Sequence, residues 1–220
     1  MKKFLMISAA LCAMSTFASA ADIAPGPVMA PANWFLHVGA AGVFYTPGFN
    51  NTPVGLPANS QVQLDNNFTG VVEAGRFLTN NFALAIAAGF PPTTNVAISS
   101  GGTVIARPGS VTFGSVMLLG QYHFDPIGPI APYVGAGGAY NPTFSTQPLA
   151  PFTRFDVASG FGAVLQAGVD FNIKDNVGVF VDVKKMFASS DVTTTAFGFT
   201  AVNNVQFSPW IVSAGIGFRF

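Results

Sequence analysis

The chain has few charged residues and almost no cysteine, and both shortages restrict the class of protein. Its 220 residues include one cysteine, and 8% of them are charged, whereas soluble domains carry about 25% charged residues. No apolar run approaches the ~20 residues that a membrane-spanning helix requires. The longest apolar runs, such as Phe82–Phe90, have about the length of a tilted membrane β-strand. These shortages disfavour an ordinary soluble domain and a helical membrane protein.

The N-terminal segment predicts export. Lys2 and Lys3 form a positively charged start, Phe4–Met14 is apolar, and Ala18–Ala20 reads A-x-A. This order of features is typical of a cleaved secretory signal peptide. We therefore expect residues 1–20 to be removed.

The mature chain, residues 21–220, has the length of one domain. Cys12 lies in the signal, so the mature chain has no cysteine for a disulfide, a thiolate nucleophile or a metal site. Without the two signal lysines, seven basic residues stand against nine acidic ones. Nothing in this balance indicates a nucleic-acid partner.

Alternation with a period of two dominates the mature chain and is clearest in the final segment, SPWIVSAGIGFRF. Side chains alternate between the two faces of a strand, so this pattern predicts a strand with one apolar face and one small or polar face. The apolar face comprises Trp210, Val212, Ala214, Ile216, Phe218 and Phe220.

Eight such segments predict an all-β fold, an eight-stranded antiparallel transmembrane β-barrel. Their bounds are Trp34–Tyr45, Phe68–Leu78, Phe82–Phe90, Val111–Phe124, Ile130–Asn141, Gly160–Phe171, Val177–Phe187 and Gln206–Phe220. Tight turns at 79–81, 125–129 and 174–176 alternate with long connections at 46–67, 91–110, 142–159 and 188–205. Short periplasmic turns, long extracellular loops and an even strand number are typical of outer-membrane barrels. A β-sandwich is the minor alternative, and its surface would need more charge.

The lipid-facing positions place aromatic rings near the strand ends, where such barrels carry aromatic girdles. These rings are Trp34, Phe44, Tyr122, Phe124, Phe171, Phe187, Trp210 and Phe220. Two charged residues also face outward. We expect Arg76 to extend toward the periplasmic interface and Lys185, near the outer end, to meet lipopolysaccharide phosphates.

The inward positions divide the lumen into two halves. Near the periplasmic end and the middle they are polar: Glu73, Gln121, His123, Gln166, Asp170, Asp182, Lys184 and Arg219. Buried charges need partners, so these side chains predict a structural plug, with a proton or ion path as the alternative. Above them the inward positions are apolar: Val43, Val71, Ala87, Met117, Val164, Met186 and Ile211. This upper lumen predicts either a site for a small hydrophobic ligand or a packed barrel core.

Five segments together resemble the OmpW family of outer-membrane proteins: HVGAAG, GQYHF, APYVGAGGAY, QAGVDF and SPWIVSAGIGFRF. The resemblance implies an eight-stranded barrel with a hydrophobic channel that moves small apolar molecules across the outer membrane. It also implies lateral escape through the wall in relatives, and a C-terminal aromatic signal (Trp210, Phe218, Phe220) read by the outer-membrane assembly machinery. Strand seven departs from the family pattern at Val177 and Phe180, and no gate residue is carried over.

Two rival functions are a lipid enzyme and a surface-interaction barrel. An enzyme would need a histidine beside a serine at the outer-leaflet level, whereas His37 and His123 fall near the periplasmic end. We therefore expect no enzyme, no cofactor and no metal site, with outer-membrane lipid, lipopolysaccharide and a small hydrophobic molecule as partners. A barrel whose loops dock a protein partner is the stronger rival. The transport hypothesis predicts that seven loop side chains converge: Phe49, Val54, Leu56, Phe152, Phe155, Phe197 and Phe199.

Overall fold

The computed structural model describes residues 33–174 and 176–220, which form fifteen β-strands. The predicted signal peptide and residue 175 of the third predicted turn lie outside the described residues. The strands are β1 Trp34–Phe44, β2 Gly48–Phe49, β3 Ser60–Leu64, β4 Asn67–Phe77, β5 Phe82–Gly89, β6 Thr93–Ser100, β7 Thr103–Phe113, β8 Val116–His123, β9 Ile130–Asn141, β10 Thr143–Pro148, β11 Phe152–Val157, β12 Gly160–Lys174, β13 Val177–Ala196, β14 Phe199–Gln206 and β15 Trp210–Arg219. Within these ranges no helix is long and apolar enough to cross a membrane.

Eight of the strands close into the predicted antiparallel barrel. Each pairs with the next in the order β1, β4, β5, β8, β9, β12, β13, β15 and back to β1. At the seam between first and last strands, the Trp34 and Phe220 backbones exchange hydrogen bonds of 2.9 and 3.0 Å. Closure pairs the backbone polar groups of every barrel strand on both sides, which a membrane-spanning sheet requires.

Side chains alternate across the barrel wall as the sequence predicts. On β5, Ala83, Ala85 and Ala87 point inward and are buried, while Leu84 and Ile86 are about half exposed on the outside. The eight predicted girdle aromatics are all outward and exposed. The apolar outer face is therefore the lipid-facing surface expected of an outer-membrane barrel.

The long extracellular connections differ from the prediction, because they form hairpins instead of irregular loops. Strands β3, β6, β7 and β10 make a separate four-stranded sheet, and β2, β11 and β14 build onto the extended end of β13. Strand β13 continues to Ala196, nine residues beyond its predicted end. Alternating β-branched residues such as Val192 and Thr194 favour strand, although turn residues are frequent in the same segments.

Two predicted strands are interrupted. The predicted strand Val111–Phe124 is wrong as one element, since β7 ends at Phe113 and β8 begins at Val116, in a different sheet. The predicted strand Gln206–Phe220 breaks over residues 207–209. There Ser208 has a positive φ of 26° and Pro209 has no N–H to donate.

The buried apolar residues form two clusters, one at each level of the molecule. The lumen cluster runs along the barrel interior, from Phe35 near the periplasmic end to Met186 above the middle. The extracellular cluster lies among the hairpins and includes Val111 and Phe155. Both levels therefore have an apolar interior of their own.

Candidate functional site

A layer of polar side chains crosses the lower lumen, supplied by inward positions of seven of the eight barrel strands. We call it the polar layer. It contains the eight residues that the sequence indicates and three more. Its members are His37, Glu73, Gln121, His123, Tyr133, Gln166, Asp170, Asp182, Lys184, Ser213 and Arg219. Strand β5 contributes only small alanine side chains at this level.

Lys184 lies at the centre of the polar layer, between two carboxylates. Its Nζ is 3.0 Å from Glu73 Oε2 and 2.5 Å from Asp182 Oδ2. Both carboxylates accept further hydrogen bonds, Glu73 Oε1 from Gln121 Nε2 at 2.7 Å and Asp182 Oδ1 from Ser213 Oγ at 2.5 Å. All these groups are buried, and both carboxylates share the Lys184 ammonium as a direct partner, as buried charges require.

Below this centre, Asp170 lies between His37 and Arg219. Its Oδ1 is 3.2 Å from His37 Nε2, and its Oδ2 accepts a hydrogen bond from Arg219 at 3.1 Å. The His37 ring stacks on Phe180 with centroids 4.4 Å apart. Paired charges and stacked rings occupy the lower barrel, and their role as a structural plug stays a prediction.

Three members of the polar layer were missing from the sequence-based set: His37, Tyr133 and Ser213. All three fall on inward positions of their strands, which alternation alone identifies. His37 was considered only for catalysis or metal binding, yet its ring nitrogens lie 3.8 Å from Glu73 Oε1 on β4 and 3.2 Å from Asp170 Oδ1 on β12. Counting every inward polar side chain, including hydroxyls, would have found the set.

Above the polar layer lies an apolar cleft, which we call the lumen cleft. Its volume is about 1050 Å³, including solvent space at its open mouth. Six of the seven predicted upper-lumen residues line it: Val43, Val71, Ala87, Met117, Met186 and Ile211. The seventh, Val164, is buried in the lumen cluster and does not line the cleft. His37, Glu73, Lys184 and Ser213 contribute to the cleft lining from the polar layer.

The lumen cleft also reaches the barrel wall between β5 and β8. Outward residues Val72, Ala88 and Phe90 line it together with the lumen residues. The β5–β8 ladder stops at Ala88 paired with Val116. Beyond that point Pro91 and Pro92 have no N–H groups to continue the ladder, and Gly114 donates its N–H away from β5, to Pro142.

A second cavity lies among the extracellular hairpins, and we call it the outer cavity. All seven loop side chains that we expected to converge line it, from Phe49 to Phe199. The outer cavity and the lumen cleft share two lining residues, Val157 and Phe207. The seven side chains therefore gather around a cavity adjoining the upper lumen, with Val54, Phe197 and Phe199 at its exposed rim.

The remaining predicted positions lie on the outer surface. Trp210, Phe218 and Phe220 project outward from β15 and the C-terminus, and their assembly role stays a prediction. Lys185 Nζ donates to the Ser208 carbonyl at 2.6 Å and lies 5.0 Å from the Trp210 ring centre. Arg76 lies over the Trp34 ring. No metal-binding cluster of three or more His, Cys, Asp or Glu occurs in the part that the structure describes.

Comparison with known proteins agrees with this architecture. The sequence model of the OmpW family matches residues 32–220, a range that includes every described residue. The chain belongs to the OmpW family. OmpW-family relatives include the outer-membrane protein y4mB of Sinorhizobium fredii, 30% identical over 235 residues that cover 99% of this chain and 97% of y4mB. The protein is accordingly an outer-membrane β-barrel.

Two further relatives extend the comparison. The dibenzothiophene metabolism operon protein PahQ of Pseudomonas aeruginosa is 26% identical over 166 residues, covering 75% of this chain and 77% of PahQ. The crystal structure of the outer-membrane protein OprG of Pseudomonas aeruginosa superposes with a TM-score of 0.77 and 16% identity, over 86% of this chain and 97% of OprG. At that identity the OprG structure supports the fold of this OmpW-family member.

Proposed function

We propose that this protein conducts small hydrophobic molecules from the outside of the cell into or across the outer membrane, without changing them chemically. The observation that carries the proposal is the lumen cleft, an apolar space that lies above a layer of paired, buried charges. Porins that pass ions and sugars line their lumen with polar groups. An apolar lining with a few polar groups is instead typical of sites for small hydrophobic ligands.

The polar layer supports a route that does not run straight through the barrel. An apolar molecule moving along the axis would have to separate Lys184 from Glu73 and Asp182, which are buried and directly paired. Breaking one partner away from a buried ion pair costs about 3–5 kcal/mol. We infer that the axial path is closed to such molecules.

The wall between β5 and β8 offers the alternative exit. The lumen cleft is lined there by side chains from both faces of the sheet, including lipid-facing Phe90. An apolar molecule leaving at this point enters lipid, where its transfer from water is favourable. The name of PahQ, which refers to dibenzothiophene metabolism, is consistent with a hydrocarbon-like ligand.

Met117→Arg tests the lumen site. Met117 is buried and lines the cleft, so an arginine there places a charge among apolar groups and fills the space. We expect the refolded variant to lose the part of fluorescent apolar probe binding that belongs to the lumen cleft, while it keeps the heat-dependent gel shift of a closed barrel. Met117→Leu, which nearly conserves volume, is the control and should bind like the parent. Undiminished binding in the arginine variant would point to a closed barrel whose loops dock a partner.

A further inference from the structure

The outer cavity has a lining unlike that of a simple funnel mouth. It encloses about 1040 Å³, including open solvent at its entrance. Six phenylalanine side chains contribute to its wall: Phe49, Phe152, Phe155, Phe197, Phe199 and Phe207. Aromatic rings prefer offset-stacked or edge-to-face contacts with other rings, so this wall favours flat aromatic molecules over flexible chains.

The polar groups of the outer cavity are few, and the most prominent is already engaged. Asn203 Oδ1 accepts a hydrogen bond from the Val54 N–H at 2.7 Å, and its amide faces the Val54 carbonyl at 3.5 Å. Thr194 is the other polar side chain in the lining. No charged side chain lines the cavity in the described part of the chain. A neutral ligand therefore fits this environment better than an ion, whose charge would lack a partner.

Phe207 lies at the boundary between the outer cavity and the lumen cleft, since it and Val157 line both spaces. Its side chain is buried, lines both spaces, and packs against Phe113 with ring centroids 5.9 Å apart. The Phe113 ring in turn lies 5.9 Å from Tyr45. The backbone N–H of Phe207 donates a hydrogen bond to the Ala188 carbonyl at 2.9 Å, which ties the Phe207 backbone to β13.

We propose that the outer cavity is a binding site of its own for small neutral aromatic hydrocarbons, separated from the lumen cleft by the Phe207 ring. The six phenylalanine side chains supply the ring contacts. Asn203 is already hydrogen-bonded to Val54, so it leaves few polar atoms to pair with a charged group on a ligand. This inference goes beyond the proposed function, because the outer cavity binds its ligand whether or not the lumen then conducts it.

A tryptophan reporter on β14 tests the site directly. Phe199 lines the cavity and is more than half exposed, so there is room for the larger ring of Phe199→Trp. Val202 is similarly exposed but projects from the opposite face of β14, so Val202→Trp serves as the control. We expect phenylnaphthylamine, an aromatic probe, to quench the added tryptophan emission in Phe199→Trp and to leave it unchanged in Val202→Trp. Phe197→Trp is a second cavity reporter in case the first variant folds poorly. Equal quenching of cavity and control reporters, or quenching of neither, overturns the proposal.

The Met117→Arg background shows whether the two sites are separate. Quenching of Phe199→Trp should persist in that background, and in the parent the two sites should give two steps of probe binding. Phe207→Ala should join the outer cavity to the lumen cleft and so reduce the two steps of probe binding to one. Loss of the Phe199→Trp signal with Met117→Arg would show a single continuous site and overturn the inference. Persistent quenching without any lumen binding in the parent would retain the outer site and refute the proposed conduit.

Discussion

At the scale of single residues, Lys184 is the cation on which the polar layer depends. Its ammonium group is the direct partner of both Glu73 and Asp182, and its side chain is almost fully buried. Two carboxylates at this depth are tolerated because a positive charge lies between them. The polar layer that forms the floor of the lumen cleft therefore depends on one side chain, Lys184 of β13.

Replacing Lys184 with methionine should destabilise the barrel strongly. The change leaves two buried carboxylates without their cation, and removing one partner of a buried pair costs about 3–5 kcal/mol. Urea unfolding in lipid vesicles, followed by tryptophan fluorescence, measures the free energy of unfolding. Arg154→Met is the matched control, since it breaks an Arg154–Asp156 pair that is more than half exposed and worth about 0–1 kcal/mol. Equal losses in the two variants would contradict a central role for Lys184.

The sequence predicts most of the polar layer, because a strand period of two decides which side chains enter the lumen. Glu73, Asp182 and Lys184 were assigned correctly to the interior from alternation alone. Their partners were not predictable. The ion pairs depend on the stagger between strands, which brings β4 and β13 to the same level across the barrel and which no local pattern encodes.

At the scale of strands, the seam between β1 and β15 relies on two facing glycines. Gly39 pairs with Gly215 in the register of the seam. A Cβ on Gly215 would overlap the Val38 carbonyl oxygen, and one on Gly39 would overlap that of Ala214. The backbones of the first and last strands approach closely here, which only glycine permits on both sides.

Gly215→Ala should therefore weaken barrel closure. The added methyl group has to push backbone away at the seam, and overpacking of this kind costs about 1–3 kcal/mol. The temperature at which the folded band disappears in gel-shift experiments should fall. Gly138→Ala on β9 is the matched control, because the nearest atom to its Cβ is the Gly162 oxygen at 3.9 Å. The prediction fails if both variants lose the folded band at the same temperature.

The strands that the sequence predicts well are those with lipid on one side. Strands β5 and β9 differ from their predicted bounds by at most one residue, because uniform lipid exposure imposes a clean alternation. The extracellular strands have water or other hairpins on their outer side, so their alternation is weaker and turn residues obscure it. The break at 114–115 arises where the chain passes from one sheet to another, and the break at 207–209 lies between two strands that both pair with β13. Both depend on tertiary structure and have only glycine or proline as a local sign.

At the scale of the whole molecule, three levels follow one another from the periplasm outward. The polar layer crosses the lower lumen, the lumen cleft lies above it, and the outer cavity adjoins the cleft at Phe207. The lumen cleft is lined by residues from both faces of the wall, near the ends of β5 and β8. Under the proposed function, a molecule that enters from outside therefore reaches lipid at this point before it reaches the polar layer.

A bulky side chain at the wall opening should slow this lateral exit. Ser115 lines the lumen cleft where the pairing between β5 and β8 ends, whereas the neighbouring Val116 faces lipid and does not line the cleft. In reconstituted vesicles we expect Ser115→Trp to slow probe transfer into the bilayer about tenfold, equivalent to a barrier raised by about 1.4 kcal/mol, while equilibrium binding persists. Ser115→Ala controls for the lost hydrogen bond to Asn141, and Val116→Trp controls for bulk in the lipid. If Ser115→Trp and Val116→Trp transfer the probe at the same rate, the exit does not lie between β5 and β8.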